Sequence, residues 1–184
     1  MDGTGMIDRE RTVFINVDIQ EKFLHVISGM EGVIANSIKL VKSAEILKIP
    51  LLITEQYPKG LGHTIDRIRF KGVAKIIEKN SFSCFGSHEF RKAIENMKTV
   101  DTLVLFGIET HVCILNTALD AAKAGYNVHV IADATSSRKI YDKEIAIERM
   151  RQSGAFIDTT ESALFQIMKE AGTEEFRQIS RLIK

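Results

Sequence analysis

Runs of consecutive apolar residues alternate along the chain with stretches in which apolar residues recur at helical spacing. The continuous runs are typical of strands covered on both faces and predict strands at residues 12–18, 50–55, 73–79, 103–106, 126–133 and 155–158. The helical spacing predicts helices at residues 33–47, 87–97, 113–125, 142–152, 160–169 and from 173 onward. This alternation predicts an α/β fold, a three-layer, doubly wound, six-stranded parallel sheet with right-handed crossovers.

The length of the chain and its N-terminal composition suggest simple boundaries. A chain of 184 residues is long enough for one domain with a substantial core. Residues 1–10 are polar and are expected to form a flexible tail. Residues 11–184 are then expected to form the single domain.

The stretch from residue 101 to residue 125 predicts a buried strand, a tight turn and a helix that opens with a cysteine. Leu103–Phe106 is continuously apolar, and Gly107 breaks the run where a side chain would restrict the backbone. Thr110 can cap the helix through its hydroxyl, and Gly125 is a natural stop. Cys113 is therefore expected in the first helical turn, where the positive end of the dipole favours a thiolate. Simple packing is an equally good interpretation of this stretch alone, because cysteines are often buried.

Three predicted strands lead into residues whose chemistry is complementary. The first strand ends at Asp18, the third ends at Lys79, and the fourth leads into Cys113. Because parallel strands share one carboxyl edge, a carboxylate, an ammonium and a thiol can converge there. The aspartate can take the thiol proton while the lysine holds negative charge nearby. Each residue alone is more often a cap or a solvated charge, but the three matching positions together favour catalysis.

Composition and charge narrow the classes of function. Hydrophobic residues make up 45% of the chain and charged residues 27%, with a formal net charge of +1, so no polyanion-binding surface is indicated and no nucleic-acid partner is expected. Two cysteines do not make a disulfide framework. Without a signal peptide or an apolar run of membrane-spanning length, a cytoplasmic protein with no membrane partner is expected.

Three segments, at residues 14–20, 78–82 and 107–113, together resemble the isochorismatase-like cysteine hydrolases, the superfamily that includes nicotinamidases. The resemblance covers nearly the whole chain, from about Arg11 to the last helix. It implies a sheet in the order 3-2-1-4-5-6 and a catalytic triad formed by Asp18, Lys79 and Cys113. It also implies a cis peptide bond between Ile108 and Glu109, with an oxyanion hole formed by the backbone N–H groups of Glu109 and Cys113.

The chain departs from its relatives where nicotinamidases bind a divalent metal through an aspartate and two histidines. Glu55 and a single His63 stand in this region, which is an incomplete ligand set, so no metal and no cofactor are expected. Nicotinamide is therefore not favoured as the substrate. Isochorismatases proper lack the nucleophilic cysteine, so Cys113 also disfavours isochorismate. Segments 54–62, 113–117 and 150–155 resemble the small isochorismatase-domain proteins, whose substrate is unassigned.

Several further residues are candidates for substrate binding at the same edge. The aromatic side chains of Phe23, Tyr57 and Phe82 can form an apolar wall, although aromatic residues in loops often only seal a core. His111 can line the cleft, with a simple loop role equally good. Arg138 can bind a substrate carboxylate, although an exposed surface arginine is the more common case.

The remaining cysteine and three of the histidines carry no specific chemical signal. Cys84 follows Lys79 closely and can approach the cleft, but packing is the safer interpretation. His25, His88 and His129 have no partner visible in the sequence and are expected to be surface or core residues.

The leading hypothesis is a cysteine hydrolase that cleaves an amide, or a similar C–N bond, of a small molecule through a cysteine thioester. The alternatives are a non-catalytic interaction protein that retains the fold and a redox-active thiol protein. A nucleotide-binding domain is a weak alternative, because no glycine-rich phosphate fingerprint follows the first strand. The resemblance, together with the loop residues Phe23, Leu24 and Leu61, also predicts a homo-oligomer, a dimer or larger.

Overall fold

The computed structural model describes residues 4–69 and 74–184 as a parallel sheet with helices on both faces. The six strands of these residues are β1 (Thr12–Val17), β2 (Leu51–Gln56), β3 (Ala74–Lys79), β4 (Thr102–Ile108), β5 (Asn127–Ser136) and β6 (Phe156–Asp158). The helices are α1 (Met30–Leu47), α2 (Pro58–Leu61), α3 (His88–Asn96), α4 (Leu115–Lys123), α5 (Ile140–Gln152), α6 (Thr160–Met168) and α7 (Glu174–Ile183). The strand order is β3-β2-β1-β4-β5-β6 and every pairing is parallel, so the predicted fold class and strand order are confirmed.

Two apolar cores cover the two faces of the sheet, which explains why the strands read as continuous apolar runs. In β1, Phe14 contributes to the core shared with α1, α6 and α7, whereas Val13 and Ile15 contribute to the core shared with α3, α4 and α5. β1 and β4 are buried at every position. No helix within the described ranges is long and apolar enough to cross a membrane.

The strand order changes direction between β1 and β4, and this change creates a crevice at the carboxyl edge. The chain runs outward from β1 through β2 to β3 and then returns to β4 on the other side of β1. Ligand sites of open α/β sheets lie at such a switch point. The ends of β1 and β4 therefore frame the natural site of this fold.

Several boundaries differ from those expected. The expected tail at residues 1–10 is not loose in its second half, because Ile7 is buried and Arg9–Arg11 form a 3₁₀ turn. Arg9 holds this turn to the body of the fold by donating to the Leu47 carbonyl at 2.7 Å and pairing with Glu175 at 2.9 Å. Residues 1–3 and the expected strand residue Val73 lie outside the described residues.

The carboxyl end of β5 extends beyond its predicted limit. The strand continues to Ser136 and α5 begins at Ile140, so the expected loop between residues 133 and 142 is shortened to residues 137–139. Ser136 pairs with Ile108 at the end of β4. Polar residues such as Thr135 are typical of a loop when only the sequence is considered. In the structure, the Thr135 hydroxyl donates to the Gly107 carbonyl at 2.7 Å, and this bond connects β5 to β4.

Gly107 lies where β4 passes closest to β1. Its φ of +118° is in the region that side chains rarely adopt, and a Cβ added there would lie 2.1 Å from the Val17 carbonyl oxygen. Both the backbone angle and the close approach therefore require glycine at this position.

We expect Gly107→Ala to lower the free energy of unfolding by about 3 kcal/mol or more, because it combines backbone strain with overpacking against β1. Denaturant titration measures this change. Gly32→Ala is the matched control: Gly32 lies in α1 with nothing near an added Cβ, so a change within about 1 kcal/mol, in the stabilising direction, is expected. Equal effects of the two substitutions would contradict the close-approach argument.

Candidate active site

Asp18, Lys79 and Cys113 meet at the carboxyl edge of the sheet, as the sequence predicts. The Lys79 ammonium donates to Asp18 Oδ2 at 2.6 Å, and both side chains are at most 1% exposed. The Asp18 carboxylate also raises the pKa of the Cys113 thiol, and the Lys79 ammonium lowers it, so both charges act on the sulfur. A buried ion pair thus lies close enough to a thiol to affect its ionisation.

Asp18 is placed by the turn that ends β1. Its φ of 53° lies in the left-handed region, which aspartate tolerates better than most residues. Its backbone N–H donates to the Thr54 carbonyl at 3.1 Å, and the Thr54 hydroxyl donates to Asp18 Oδ1 at 2.6 Å. With Lys79 on Oδ2, the carboxylate has a fixed partner on each oxygen and a fixed orientation.

Lys79 is surrounded by oxygen atoms at the end of β3. Besides Asp18, its ammonium contacts Gln56 Oε1 at 2.8 Å and the carbonyls of Phe82 and Ser81 at 3.2 and 3.3 Å. Burial favours the neutral amine, but the Asp18 carboxylate and the nearby thiols outweigh it and raise the pKa of Lys79. The surroundings of Lys79 therefore favour its charged form.

Cys113 lies in a π-helical turn, Thr110–Ile114, that runs directly into α4. The predicted cap by Thr110 is wrong: its hydroxyl bonds to the Thr135 hydroxyl at 2.9 Å, and Glu109 occupies the N-cap position. The peptide bond between Ile108 and Glu109 is cis, as predicted. The oxyanion hole at Glu109 and Cys113 stays a prediction.

The expected lowering of the pKa of Cys113 is wrong. Burial first, and then the Asp18 carboxylate, raise the pKa of the Cys113 thiol far above its ordinary range, and Lys79 offsets only part of this. The sequence argument counted the helix start and the cation but not the desolvation of a side chain that is only 6% exposed. The raised pKa therefore favours a neutral Cys113 thiol in the resting site.

Cys84 is nearer to the site than its assignment to packing suggested. It is fully buried, and its sulfur lies 4.0 Å from the Thr54 hydroxyl that holds Asp18. Burial raises the pKa of Cys84 to about 11, against the opposing effect of Lys79. Both cysteines are free thiols.

Glu55 and His63 are engaged in an ion-pair cluster away from this pair. Glu55 is 2% exposed, accepts from the Thr64 N–H at 2.7 Å, and pairs with His63 at 2.9 Å and Arg69 at 3.2 Å. Burial opposes the charge, but these partners outweigh it and lower the pKa of Glu55. Within residues 4–69 and 74–184, no group of three or more His, Cys, Asp or Glu side chains is arranged to hold a metal.

The predicted substrate-binding residues lie on both sides of the crevice. Tyr57 and Phe82 follow β2 and β3 and are 54% and 60% exposed, while Phe23 packs partly against the core. On the other side, Arg138 donates its backbone N–H and its Nε to the same Glu109 carboxylate oxygen at 3.0 and 3.1 Å. His111 bonds to the Ser137 hydroxyl at 3.0 Å and lines a groove along α5. Their role in substrate binding stays a prediction.

The fold shows which of the histidines without an assigned role are surface residues and which is a core residue. His25 and His88 are exposed, whereas His129 is a core residue. His129 pairs with Asp158 at 2.8 Å and stacks on Phe156, with the ring centroids 5.0 Å apart. This cluster joins β5 to β6.

Sequence reasoning missed Thr54 and Gln56, which hold Asp18 and Lys79. Their signal is present: both are polar residues at the carboxyl end of a strand that is otherwise apolar. Gln20, which is fully buried two residues after Asp18, was also missed, although it too is a polar residue near the carboxyl end of a strand. Its amide oxygen accepts from the Gln56 backbone N–H at 2.7 Å, and its amide nitrogen donates to the Gln56 carbonyl at 3.0 Å.

Comparison with known proteins identifies the family to which this chain is similar. The family model for the isochorismatase domain matches residues 12–162. Isochorismatase family protein 1B of Dictyostelium discoideum is 40% identical over 184 residues, covering 98% of this chain and 89% of that protein. The structure of the MAR1 ribonuclease of Caenorhabditis elegans is similar with a TM-score of 0.90 at 35% identity, covering 96% of this chain and 91% of that one. YcaC of Escherichia coli, an octameric hydrolase of unknown specificity, shares the fold with a TM-score of 0.89 at 20% identity, covering 96% and 90%.

The buried site predicts a clear difference between the two thiols. We expect iodoacetamide to modify Cys113 and leave Cys84 unmodified in the folded protein, because Cys113 is 6% exposed and Cys84 is 0% exposed. Because the pKa of Cys113 is raised, the rate should keep rising with pH through and beyond the ordinary thiol range near about 8.5. Peptide mapping by mass spectrometry across pH measures both.

Two variants serve as controls for this experiment. Cys84→Ala should leave the rate unchanged, and Cys113→Ala should abolish modification of the folded chain. A plateau of the rate near pH 6 or 7, or fast labelling of Cys84, would contradict the assignment of a neutral, buried Cys113 thiol.

Proposed function

The chain belongs to the isochorismatase family, and we propose that it is a cysteine hydrolase that cleaves a C–N bond of a small molecule with Asp18, Lys79 and Cys113. The observation that carries this proposal is the Asp18–Lys79 ion pair, buried against the Cys113 thiol at the switch point of the sheet. Acyl transfer needs a nucleophile with a proton acceptor beside it, and a neighbouring cation can stabilise the negative charge that forms. An ion pair with a purely structural role would add little to the stability of the fold at this buried position, because the desolvation of both charges is costly.

The first half of the reaction forms a thioester. Cys113 Sγ attacks the carbonyl carbon as its proton passes to Asp18, and the carbonyl becomes a tetrahedral oxyanion. The backbone N–H groups of Glu109 and Cys113 are proposed to stabilise this oxyanion. A preorganised donor of this kind contributes about 3 kcal/mol to the transition state. The C–N bond then breaks, and Asp18 gives its proton to the departing nitrogen.

The second half of the reaction releases the acid. Asp18, again a carboxylate, takes a proton from a water molecule that attacks the thioester carbonyl. The second tetrahedral intermediate collapses, the carboxylic acid leaves, and the proton returns to the Cys113 sulfur. Lys79 remains an ammonium throughout, and it stabilises Asp18 as a carboxylate and the sulfur whenever the sulfur carries negative charge.

No step of this scheme needs a metal, and the residues near Glu55 are already paired with one another. The Glu55 carboxylate is surrounded by Thr64, His63 and Arg69, so binding a cation there would require displacing Arg69. A metal-independent, cytoplasmic enzyme without a nucleic-acid partner stays our prediction.

We also propose that the chain assembles with copies of itself, through a surface different from the loops that suggested assembly in the sequence. Phe23 and Leu24 pack against the core and are only partly exposed. On α5, by contrast, Tyr141 is 67% and Ile145 is 55% exposed, beside a groove of about 330 Å³.

The α5 surface is complementary to itself. Tyr141 and Arg149 lie four residues before and four residues after Ile145, and both line the groove. An antiparallel contact between two copies of α5 centred on Ile145 would therefore place Tyr141 of one copy beside Arg149 of the other. Cation–π attraction and the opposite charges of Asp142 and Arg149 favour this arrangement.

The proposed hydrolase predicts turnover that depends on one thiol. A panel of primary amides, N-carbamoyl compounds and esters, followed by release of ammonia, amine or alcohol, should contain a substrate. Cys113→Ala should lower kcat for it by at least about a thousandfold, whereas Cys84→Ala should stay within a few-fold of wild type. Treatment with a chelator should leave the rate unchanged.

An RNA substrate belongs in the same panel, because one structural relative is named a ribonuclease, and no cleavage of it is expected. Hydrolysis that persists in Cys113→Ala would contradict the nucleophile. RNA cleavage with no amide or ester turnover would contradict the substrate class. Reversible oxidation of Cys113 without any turnover would instead favour the redox alternative.

The α5 contact predicts a change of mass in solution. Light scattering coupled to size exclusion should show a dimer or a larger assembly for wild type. The double substitution Tyr141→Ser with Ile145→Ser should shift it toward the monomer at the same concentration. Val26→Ser is the control, since Val26 is 50% exposed on another surface. A monomeric wild type at working concentration would contradict assembly, and an unchanged mass of the double variant would contradict this surface.

A further inference from the structure

Gln56 is the neutral side chain that contacts the cation of the charged pair. It lies at the end of β2, between the strand that carries Asp18 and the strand that carries Lys79, and it is paired in register with Lys79. Its Oε1 accepts from the Lys79 ammonium at 2.8 Å. Only the contact with Asp18, at 2.6 Å, is shorter among the oxygens that surround this ammonium.

Hydrogen bonds at both ends fix the orientation of the side-chain amide of Gln56. Its Nε2 donates to the Asn80 carbonyl at 2.8 Å, so the oxygen must face Lys79. A flipped amide would aim its NH₂ group at the ammonium and its oxygen at a carbonyl, and both contacts are repulsive. The backbone N–H and carbonyl of Gln56 are held by two hydrogen bonds to the side-chain amide of Gln20. The Nε2 of Gln20 also donates to the Gly62 carbonyl at 2.6 Å.

Donor counting shows why this contact matters. A lysine ammonium has three N–H groups, and four oxygens surround Nζ of Lys79. The two backbone carbonyls lie beyond 3.1 Å, so the Asp18 and Gln56 oxygens fix most of its position. Lys79 has no N–H group left over for a substrate, and its effect on the reaction passes through Asp18 and the sulfur.

We propose that Gln56 is a positioning residue that holds the Lys79 ammonium against Asp18 without adding charge to the site. Without the amide oxygen, the ammonium would move toward the Ser81 and Phe82 carbonyls and loosen its contact with Asp18. With a carboxylate in place of the amide, the ammonium would be shared between two anions, and a second negative charge would lie near Cys113. The catalytic consequence of this proposal rests on the proposed hydrolase function; the effect on Cys113 reactivity does not.

The experiment compares two substitutions at this position with a matched control. Gln56→Met keeps the length of the side chain and removes the oxygen, while Gln56→Glu keeps an oxygen and adds a charge. Gln178→Met is the control, because Gln178 is exposed on α7 and its amide contacts Glu174 at 3.2 Å. For each protein we would measure thermal stability, kcat and KM on an amide substrate, and the rate of Cys113 alkylation by iodoacetamide against pH.

The two variants should differ in direction as well as in size. Gln56→Met should lower kcat about tenfold or more while KM stays within about twofold, as expected for the loss of a hydrogen bond to a charged group. Gln56→Glu should move the pH profile of alkylation toward higher pH, because an added carboxylate disfavours the thiolate. Gln178→Met should match wild type in every measurement.

The outcomes separate this proposal from the hydrolase proposal. Variants that lose only thermal stability, with kcat and the alkylation profile at wild-type values, would overturn the positioning role. If wild type turns over no substrate but the neutral Gln56→Met variant still changes the alkylation profile while Gln178→Met does not, the hydrolase proposal fails and the positioning of Lys79 stands. Should either variant fail to fold, Gln20→Met is the substitute, because Gln20 holds the backbone of Gln56. A decrease in kcat smaller than the roughly tenfold expected for Gln56→Met supports the proposal. An unchanged kcat overturns it.

Discussion

The buried ion pair between Asp18 and Lys79 constrains how three neighbouring strands end at one edge of the sheet. Each charge would be costly to bury alone, so the fold must bring the ends of β1 and β3 to one place with β2 between them. Thr54 and Gln56, both at the end of β2, then meet the remaining hydrogen-bonding needs of the pair. The registers of β1 on β2 and of β2 on β3 are thereby fixed by chemistry as well as by packing, since a one-residue slip would separate the charges.

Burial, and then the Asp18 carboxylate of this pair, raise the pKa of Cys113 and explain why it is a thiol at rest. The negative charge of Asp18 works against a second negative charge on the sulfur, and Lys79 offsets only part of this effect. This arrangement suits general-base catalysis, in which the proton moves as the bond forms. On the other side of the crevice, the Glu109 carboxylate accepts from Arg138, and His111 bonds to Ser137, so the end of β5 secures the turn that carries Cys113.

Much of this architecture could be predicted from the sequence, because local pattern and strand polarity carry the information. The apolar runs identified the strands, and Asp18, Lys79 and Cys113 were predictable because residues at the ends of parallel strands share an edge. Contacts between side chains were not predictable in this way. Gln56 and Thr54 look like ordinary polar ends of a strand, and the pKa of Cys113 depends on how deeply the fold buries it. The end of β5 was missed because Thr135 and Ser136 are polar, and only their bonds to the Gly107 and Ser28 carbonyls show that they belong to the folded body.

Lys79 lies on β3, which is an edge strand of the sheet and, among the strands of the described residues, pairs only with β2. Edge strands are held by one ladder of hydrogen bonds and open more readily than central strands, so local fluctuations reach β3 at a lower free energy than β1 or β4. When β3 separates from β2, Asp18 loses its cation while Cys113 and the central core remain in place. The Asp18–Lys79 pair therefore forms only while β3 is paired with β2. Amide hydrogen exchange along β3, rather than global melting, would report the fraction of molecules in which the site is assembled.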